Sequence, residues 1–323
     1  MTEIVAIDIG GTHARFALAE VAGRRVLRLG EVCTLRTAEH ASLQTAWEAF
    51  GAASGRPLPP AAAIAVAGRV QGEVLKLTNN PWVIQLASIP ERLGAARYTL
   101  VNDFGAVAHA VAQLGPEHFD HLCGPDGPLP DEGVISIVGP GTGLGVAQLL
   151  RRGGDYHVIE TEGGHIDFAP LDSLEDGILA QLRQRHRRVS VERVASGMGL
   201  TNLYEALAAI EGRELKYRDE KALWQAAMAG EDSLAAAAFD RFCLTLGAVA
   251  GDIALAQGAK AVVIAGGLGL RLAGHLPRSG FRDRFIAKGR FERMMDEMPV
   301  RIITHAQPGL FGAAAAFAAE HGG

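Results

Sequence analysis

Apolar runs punctuated by glycine turns set the plan of this chain. Residues 4–9 are apolar except at Asp8, Gly10-Gly11-Thr12 follow, and residues 13–18 alternate between polar and apolar. That pattern predicts a strand, a tight turn and a returning strand. A two-residue hairpin turn needs positive φ at its centre, which glycine takes without a Cβ penalty, so Gly10 and Gly11 are expected there. The plan recurs at residues 135–147, where an apolar run meets Gly139-Pro140-Gly141-Thr142-Gly143 and a second apolar run. A third run, residues 261–265, ends in Gly266-Gly267. Two such hairpins opening two halves predict a duplicated fold with a nucleotide in the cleft between the halves.

The rest of the chain alternates between strand and helix periods. Residues 26–35 read as one strand. Leu43, Trp47 and Phe50 recur on one helical face, and Gly55 and Pro57 end that helix. Residues 61–67 are uniformly apolar, as in a strand buried on both faces. A hairpin is expected around Gly72 and a turn at Thr78-Asn79-Asn80-Pro81. Ser88-Ile89-Pro90-Glu91 fits a capping box. A strand over 98–101 runs into Asn102-Asp103, and the helix behind it carries Val107, Val111 and Leu114 on one face. Residues 124–130 read as a loop, and 156–161 as a strand leading to Glu162-Gly163-Gly164-His165. Helices are expected from Ser173, over 200–210 and across most of 222–258, then a strand over 300–304 and a helix opened by Pro308. Strands followed by helices, twice over, predict an α/β protein of two related domains.

Bulk properties narrow the function class. At 323 residues the chain exceeds what one hydrophobic core usually serves. A net charge of −5 leaves no basic footprint for nucleic acid. Arg183, Arg185, Arg187 and Arg188 read as favourable charge at a helix C-terminus, not as a binding patch. Cys33, Cys123 and Cys243 are far apart, so neither a disulfide framework nor a thiolate zinc site is expected. No cleavable segment precedes the first strand, and Asp240, Arg241 and Asp252 interrupt the Ala-rich region, so no membrane span is expected. A cytoplasmic location follows as an expectation.

Four places can carry chemistry. Asp8 is a carboxylate in an otherwise apolar strand, a costly placement unless a cation or donor meets it. A hydrated Mg²⁺ beside a polyphosphate would serve, and a turn-stabilising carboxylate is the other open reading. Asn102 and Asp103 sit at the end of a buried strand, where open α/β sheets hold ligands. Together they can orient a polyol, and Asp103 also fits a helix N-cap. Glu162 and His165 flank two glycines that allow both side chains to reach one point, while no third ligand suggests zinc. Glu192, alone, reads as a surface glutamate paired with Arg193.

Together the motifs resemble one family, the bacterial glucokinases. Asp8-Ile9-Gly10-Gly11-Thr12, residues 100–104, Gly139 to Gly145, residues 162–168, Ser190 to Val194, Ser196 to Leu200 and Ala265-Gly266-Gly267 follow that family's order across essentially the whole chain. The resemblance implies a two-domain actin/hexokinase-like α/β ATPase fold with a nucleotide and sugar cleft between the domains. Residues 1–108 and 304–323 would form the small domain and 109–303 the large one. ATP and Mg²⁺ would be held by Asp8 (through water), Gly10, Gly11 and Thr12 and by Gly141, Thr142 and Gly143, with Gly266 and Gly267 near the adenosine. Asn102, Asp103, Glu162, His165 and Glu192 would hold glucose, Asp103 also acting as the catalytic base. A homodimer is implied as well. The family usually has Asn where this chain has His13, a residue expected to hydrogen-bond the turn. The rivals are a repressor-related sugar kinase, which typically carries a cysteine-rich zinc motif, and a non-catalytic sugar sensor, which would need a basic helix-turn-helix.

Overall fold

A computed structural model describes residues 1–68, 73–77, 80 and 82–322. The expected hairpin at Gly72, and Thr78, Asn79 and Pro81 of the expected turn, lie outside the described residues. The chain divides into two compact units, Met1–Gly115 with His305–Gly323, and Pro116–Thr304. A boundary at 108 would cut the continuous helix Asp103–Gln113, and the first unit runs past it.

In the first unit, β1 (Thr2–Ile9) pairs antiparallel with β2 (His13–Ala22), which in turn pairs with β3 (Arg25–Leu29) and β4 (Cys33–Arg36). On its other side β1 runs parallel to β5 (Ala61–Val66). A two-stranded ribbon, β6 (Val74–Lys76) with β7 (Val83–Gln85), stands apart, and β8 (Arg97–Asn102) closes the main sheet beside β5. The single strand expected over 26–35 is two strands. Between them Gly30 N donates to Leu18 O at 2.8 Å, and a Cβ on Gly30 would stand only 3.0 Å from that oxygen.

Alternation along β1 divides the core. Val5, Ile7 and Ile9 join Phe16, Trp47 and Phe50 under the helix Leu43–Ser54, while Ile4 and Ala6 face the C-terminal helix Pro308–His321. The alanines of β5 let that last helix come close. It also meets the helix Asp103–Gln113 so tightly that a Cβ on Gly312 would overlap the Ala106 carbonyl. The capping box expected at Ser88 is not formed. A 3₁₀ turn, Leu86–Ser88, leads straight into the helix, so the Ser88 hydroxyl donates back to Gln85 O.

The second unit contains β9 (Phe119–Cys123), β10 (Gly133–Pro140), β11 (Leu144–Arg152), β12 (Asp155–Thr161), β13 (Ala259–Ile264) and β14 (Val300–Ile303) in the order β12-β11-β10-β13-β14-β9. The β10–β11 hairpin lies parallel to β13 as the β1–β2 hairpin lies parallel to β5, which is the duplication expected from the two glycine turns. Against the expectation of an interrupted stretch, the helix Ser233–Gln257 is long and apolar enough to cross a membrane by length and composition. It is the core helix of this unit, with 67% of its apolar stretch buried. Its Arg241 donates to the fully buried Glu175 carboxylate at 3.2 Å, which also accepts from Arg284 at 2.6 Å and Leu171 N at 2.7 Å. The Arg run after Arg183 is used in pairing: Arg185 meets Glu205, and Arg188 meets Asp167 at 2.6 Å.

Candidate active site

The first glycine turn is built differently from the expected two-residue hairpin. Ile9 pairs with Ala14, and Gly10 N donates to His13 O at 2.9 Å, so Gly11 and Thr12 stand at the tip. Gly10 does not take positive φ; Gly153 and Gly154 do, at 61° and 78°, in the β11–β12 hairpin. Three carbonyls of the turn accept bonds from elsewhere in the unit. Asn80 Nδ2 donates to Gly10 O at 3.0 Å, Thr37 Oγ1 to Gly11 O at 2.9 Å, and Thr37 N to Thr12 O at 3.0 Å. Among the described residues the His13 ring makes no hydrogen bond, so the turn is held by Thr37 and Asn80 and not by His13 as expected.

Asp8 stands at the base of this turn, its side chain 21% exposed and its Oδ2 3.3 Å from Arg15 Nη1. Burial pushes its carboxyl above the usual range, against the pull of Arg15. The cation that answers this carboxylate within the chain is thus Arg15, directly across the strand pair. Gly309, at the start of the C-terminal helix, backs onto the same carboxylate, leaving 2.9 Å between its would-be Cβ and Asp8 Oδ2.

Asn102 and Asp103 separate cleanly in role. The helix begins at Asp103, and Asn102 is its cap: Asn102 Oδ1 accepts from Phe104 N at 2.9 Å and Gly105 N at 3.2 Å. Asn102 Nδ2 donates to Gly68 O at 3.0 Å. Asp103 is therefore not the cap; its Oδ1 accepts from Phe104 N at 2.9 Å in the first helical turn.

In the second unit, Gly141 N donates to Gly143 O at 2.8 Å across the second turn. Gly141 O accepts from Gly197 N at 2.7 Å, which gives the Ser196–Leu200 motif its place. Glu192 sits in a 3₁₀ turn, Val191–Arg193, and its Oε2 accepts from Leu144 N at 3.0 Å. A Cβ on Gly143 would overlap that carboxylate. Glu192 is thus tied to the second turn, not paired with Arg193.

Glu162 precedes the 3₁₀ turn Gly163–His165, and His165 N donates to Glu162 O at 3.0 Å. Its glycines serve close approach to β11. A Cβ on Gly163 would stand 2.9 Å from Val146 Cγ1, and one on Gly164 would overlap the Leu144 carbonyl oxygen. A short antiparallel pairing then joins this turn to Glu192. Val191 N donates to Ile166 O and Phe168 N to Val189 O, both at 2.9 Å, with Asp167 opposite Ser190. The 3₁₀ turns Gly163–His165 and Val191–Arg193 thereby lie against each other. At the end of β13, Gly266 has φ of 79° and a would-be Cβ 2.7 Å from Pro140 O, while Gly267 faces open space. Arg15, Thr37 and Asn80 are the residues here that sequence reasoning missed. Asn80 stood in a recognised turn signal, Arg15 was reachable from the correct hairpin register, and Thr37 carried no signal.

A model of the Glucokinase family matches residues 5–320. A glucokinase of Zymomonas mobilis subsp. mobilis is 67% identical over 99% of this chain and 98% of its own length. A glucokinase of Caulobacter vibrioides is 41% identical over 97% of this chain and 94% of its own length. Among solved structures, a glucokinase from an Antarctic psychrotroph has a TM-score of 0.86 at 33% identity, covering 98% of this chain and 99% of that one. Two units built on the same hairpin-and-parallel-strand plan, as here, make the two-domain actin/hexokinase-like α/β fold. With its motifs in order and the family match spanning nearly its full length, this chain belongs to the glucokinase family.

Proposed function

We propose that Asp103 is the general base with which this chain carries out its family's reaction, the ATP-dependent phosphorylation of D-glucose at the 6-hydroxyl to glucose 6-phosphate, the entry to glycolysis. The observation that carries the assignment is the capping of the helix by Asn102. Asp103 is not needed to start that helix, and its carboxylate stands at a strand end where α/β sheets bind ligands. It accepts the O6 proton as O6 bonds to the γ-phosphorus. The bridging P–O bond breaks, and its electron pair leaves with ADP. Such a transfer asks the protein mainly for positioning and charge stabilisation.

Asn102, Glu162, His165 and Glu192 hold the sugar hydroxyls. The short pairing at Asp167 and Ser190 supports this, since it brings together the turns that carry Glu162, His165 and Glu192, up to 30 residues apart in sequence (162 to 192). Gly10, Gly11 and Thr12, with Gly141, Thr142 and Gly143, hold the phosphates, and Gly266 and Gly267 lie by the adenosine. Among the described residues no group of three or more His, Cys, Asp or Glu side chains is arranged to hold a metal ion. Mg²⁺ needs no such cage, because it keeps several waters and is usually held by one or two carboxylates with the substrate's phosphates. Asp8 supplies one carboxylate, so the residues fit a hydrated Mg²⁺ brought with ATP. That ion would neutralise phosphate charge. The working form is a cytoplasmic homodimer with neither nucleic-acid nor membrane partners, a reading supported by the family likeness, by the net charge of −5 and by the burial of the one long apolar helix.

Glu162→Gln, His165→Ala and Glu192→Gln should each weaken glucose about 10- to 100-fold, as expected for one hydrogen bond to a charged group. Nucleotide affinity should be nearly unchanged for the first two. Calorimetric titration of glucose without nucleotide measures this. Parent-like glucose affinity in all three variants would place the sugar elsewhere.

A further inference from the structure

We propose that Thr37 and Asn80 are positioning residues for the nucleotide's phosphates: by holding the carbonyls of the first glycine turn, they aim its N–H groups at the anion. The inference rests on the reading of that turn as a phosphate site. A trans peptide is planar, so the N–H of each residue points opposite to the carbonyl before it. Asn80 Nδ2 holds the Gly10 carbonyl, which turns the Gly11 N–H away from Asn80. Thr37 Oγ1 holds the Gly11 carbonyl, which turns the Thr12 N–H away from Thr37. Thr37 N holds the Thr12 carbonyl as well. Among the described residues, neither the Gly11 nor the Thr12 N–H donates to a protein acceptor. Successive N–H groups left open on one side of a turn form an anion-binding concavity. The same carbonyls facing the phosphates would instead present negative charge to negative charge.

Two further observations support a built device. Thr37 is only 2% exposed, so its hydroxyl is committed to the turn and not to solvent. The orientation of the Asn80 amide is fixed by its own surroundings, since Trp82 N donates to Asn80 Oδ1 at 2.9 Å and leaves Nδ2 as the donor to Gly10. In the second turn the Gly141 carbonyl is held by backbone, through Gly197 N. The Gly10 and Gly11 carbonyls of the first turn depend instead on two replaceable side-chain donors.

Thr37→Val keeps the β-branched shape and the backbone N–H but removes the hydroxyl; Thr37→Ser keeps the hydroxyl. Binding of the magnesium–ADP complex and of glucose is measured separately by calorimetry on the full chain. Thr37→Val should weaken magnesium–ADP about three- to tenfold and leave glucose unchanged, with Thr37→Ser within about twofold of the parent. Asn80→Ala should act in the same direction and carries the test if Thr37→Val does not fold. Parent-like nucleotide affinity in the folded variants would overturn the inference, as would equal loss of both ligands that serine does not restore. Gly10→Val separates the underlying reading, because among the described residues a Cβ there meets only His13 O, at an ordinary 3.5 Å. Unchanged nucleotide affinity in Gly10→Val would remove the turn itself from the phosphate site, and the inference with it. A loss in Gly10→Val without one in Thr37→Val or Asn80→Ala would overturn the positioning role alone.

Discussion

Replacing Asp103 with asparagine should lower kcat by about 10²- to 10⁴-fold, the usual contribution of a positioned general base. The fold should survive. Asn102 caps the helix, and asparagine at 103 still offers Oδ1 to Phe104 N, the bond the aspartate makes at 2.9 Å. Glucose affinity should change far less, because an amide oxygen can still meet a hydroxyl while no amide takes a proton at neutral pH. A loss confined to kcat is the mark of an interaction made mainly in the transition state. Steady-state kinetics with glucose varied at saturating ATP decides it. Near-normal kcat with a sharply raised glucose KM would make Asp103 a binding residue instead.

Gly164→Ala should be the most damaging single methyl group in the turn proposed to hold the sugar. Its Cβ would overlap the Leu144 carbonyl oxygen, and backbone cannot swing aside as a side-chain tip can. Overpacking of this kind costs about 1–3 kcal/mol. The shift would carry Glu162 and His165 together away from β11, so glucose affinity should fall at least as far as in either side-chain variant. Gly274→Ala is the control, since among the described residues a Cβ there meets nothing within 4 Å. Thermal unfolding with and without glucose measures both effects. Parent-like stability in Gly164→Ala would mean that the turn is not seated on β11.

How much of this was legible in the chain depends on how local the cause was. The duplicated hairpin plan and the strand before Asn102 follow from periods of two and 3.6, which short windows carry. The register of the first hairpin did not. Reading Gly10 and Gly11 as the turn's centre sets Asp8 opposite His13, whereas the observed pairing sets it opposite Arg15. A slip of two keeps every side chain on its proper face, so the apolar pattern cannot report it. It also hid the ion pair that answers the question Asp8 raised. The tie from Glu192 to Leu144 spans 48 residues and that from Asn80 to Gly10 spans 70. Contacts of that reach are decided by packing, not by local pattern. The family motifs nevertheless marked Glu192, Glu162 and His165, because a resemblance in residue order needs no knowledge of the contacts the fold makes.

The central claim is that this chain moves the γ-phosphoryl group of ATP onto the 6-hydroxyl of glucose, with Asp103 taking the proton. Phosphorus NMR of the purified chain with ATP, Mg²⁺ and glucose, beside Asp103→Asn under the same conditions, tests it most directly. The parent should show the γ-phosphate resonance of ATP replaced by ADP and, in equal amount, glucose 6-phosphate, while Asp103→Asn forms the same product far more slowly. Release of inorganic phosphate without sugar phosphate, or parent-like turnover by the variant, would contradict the account.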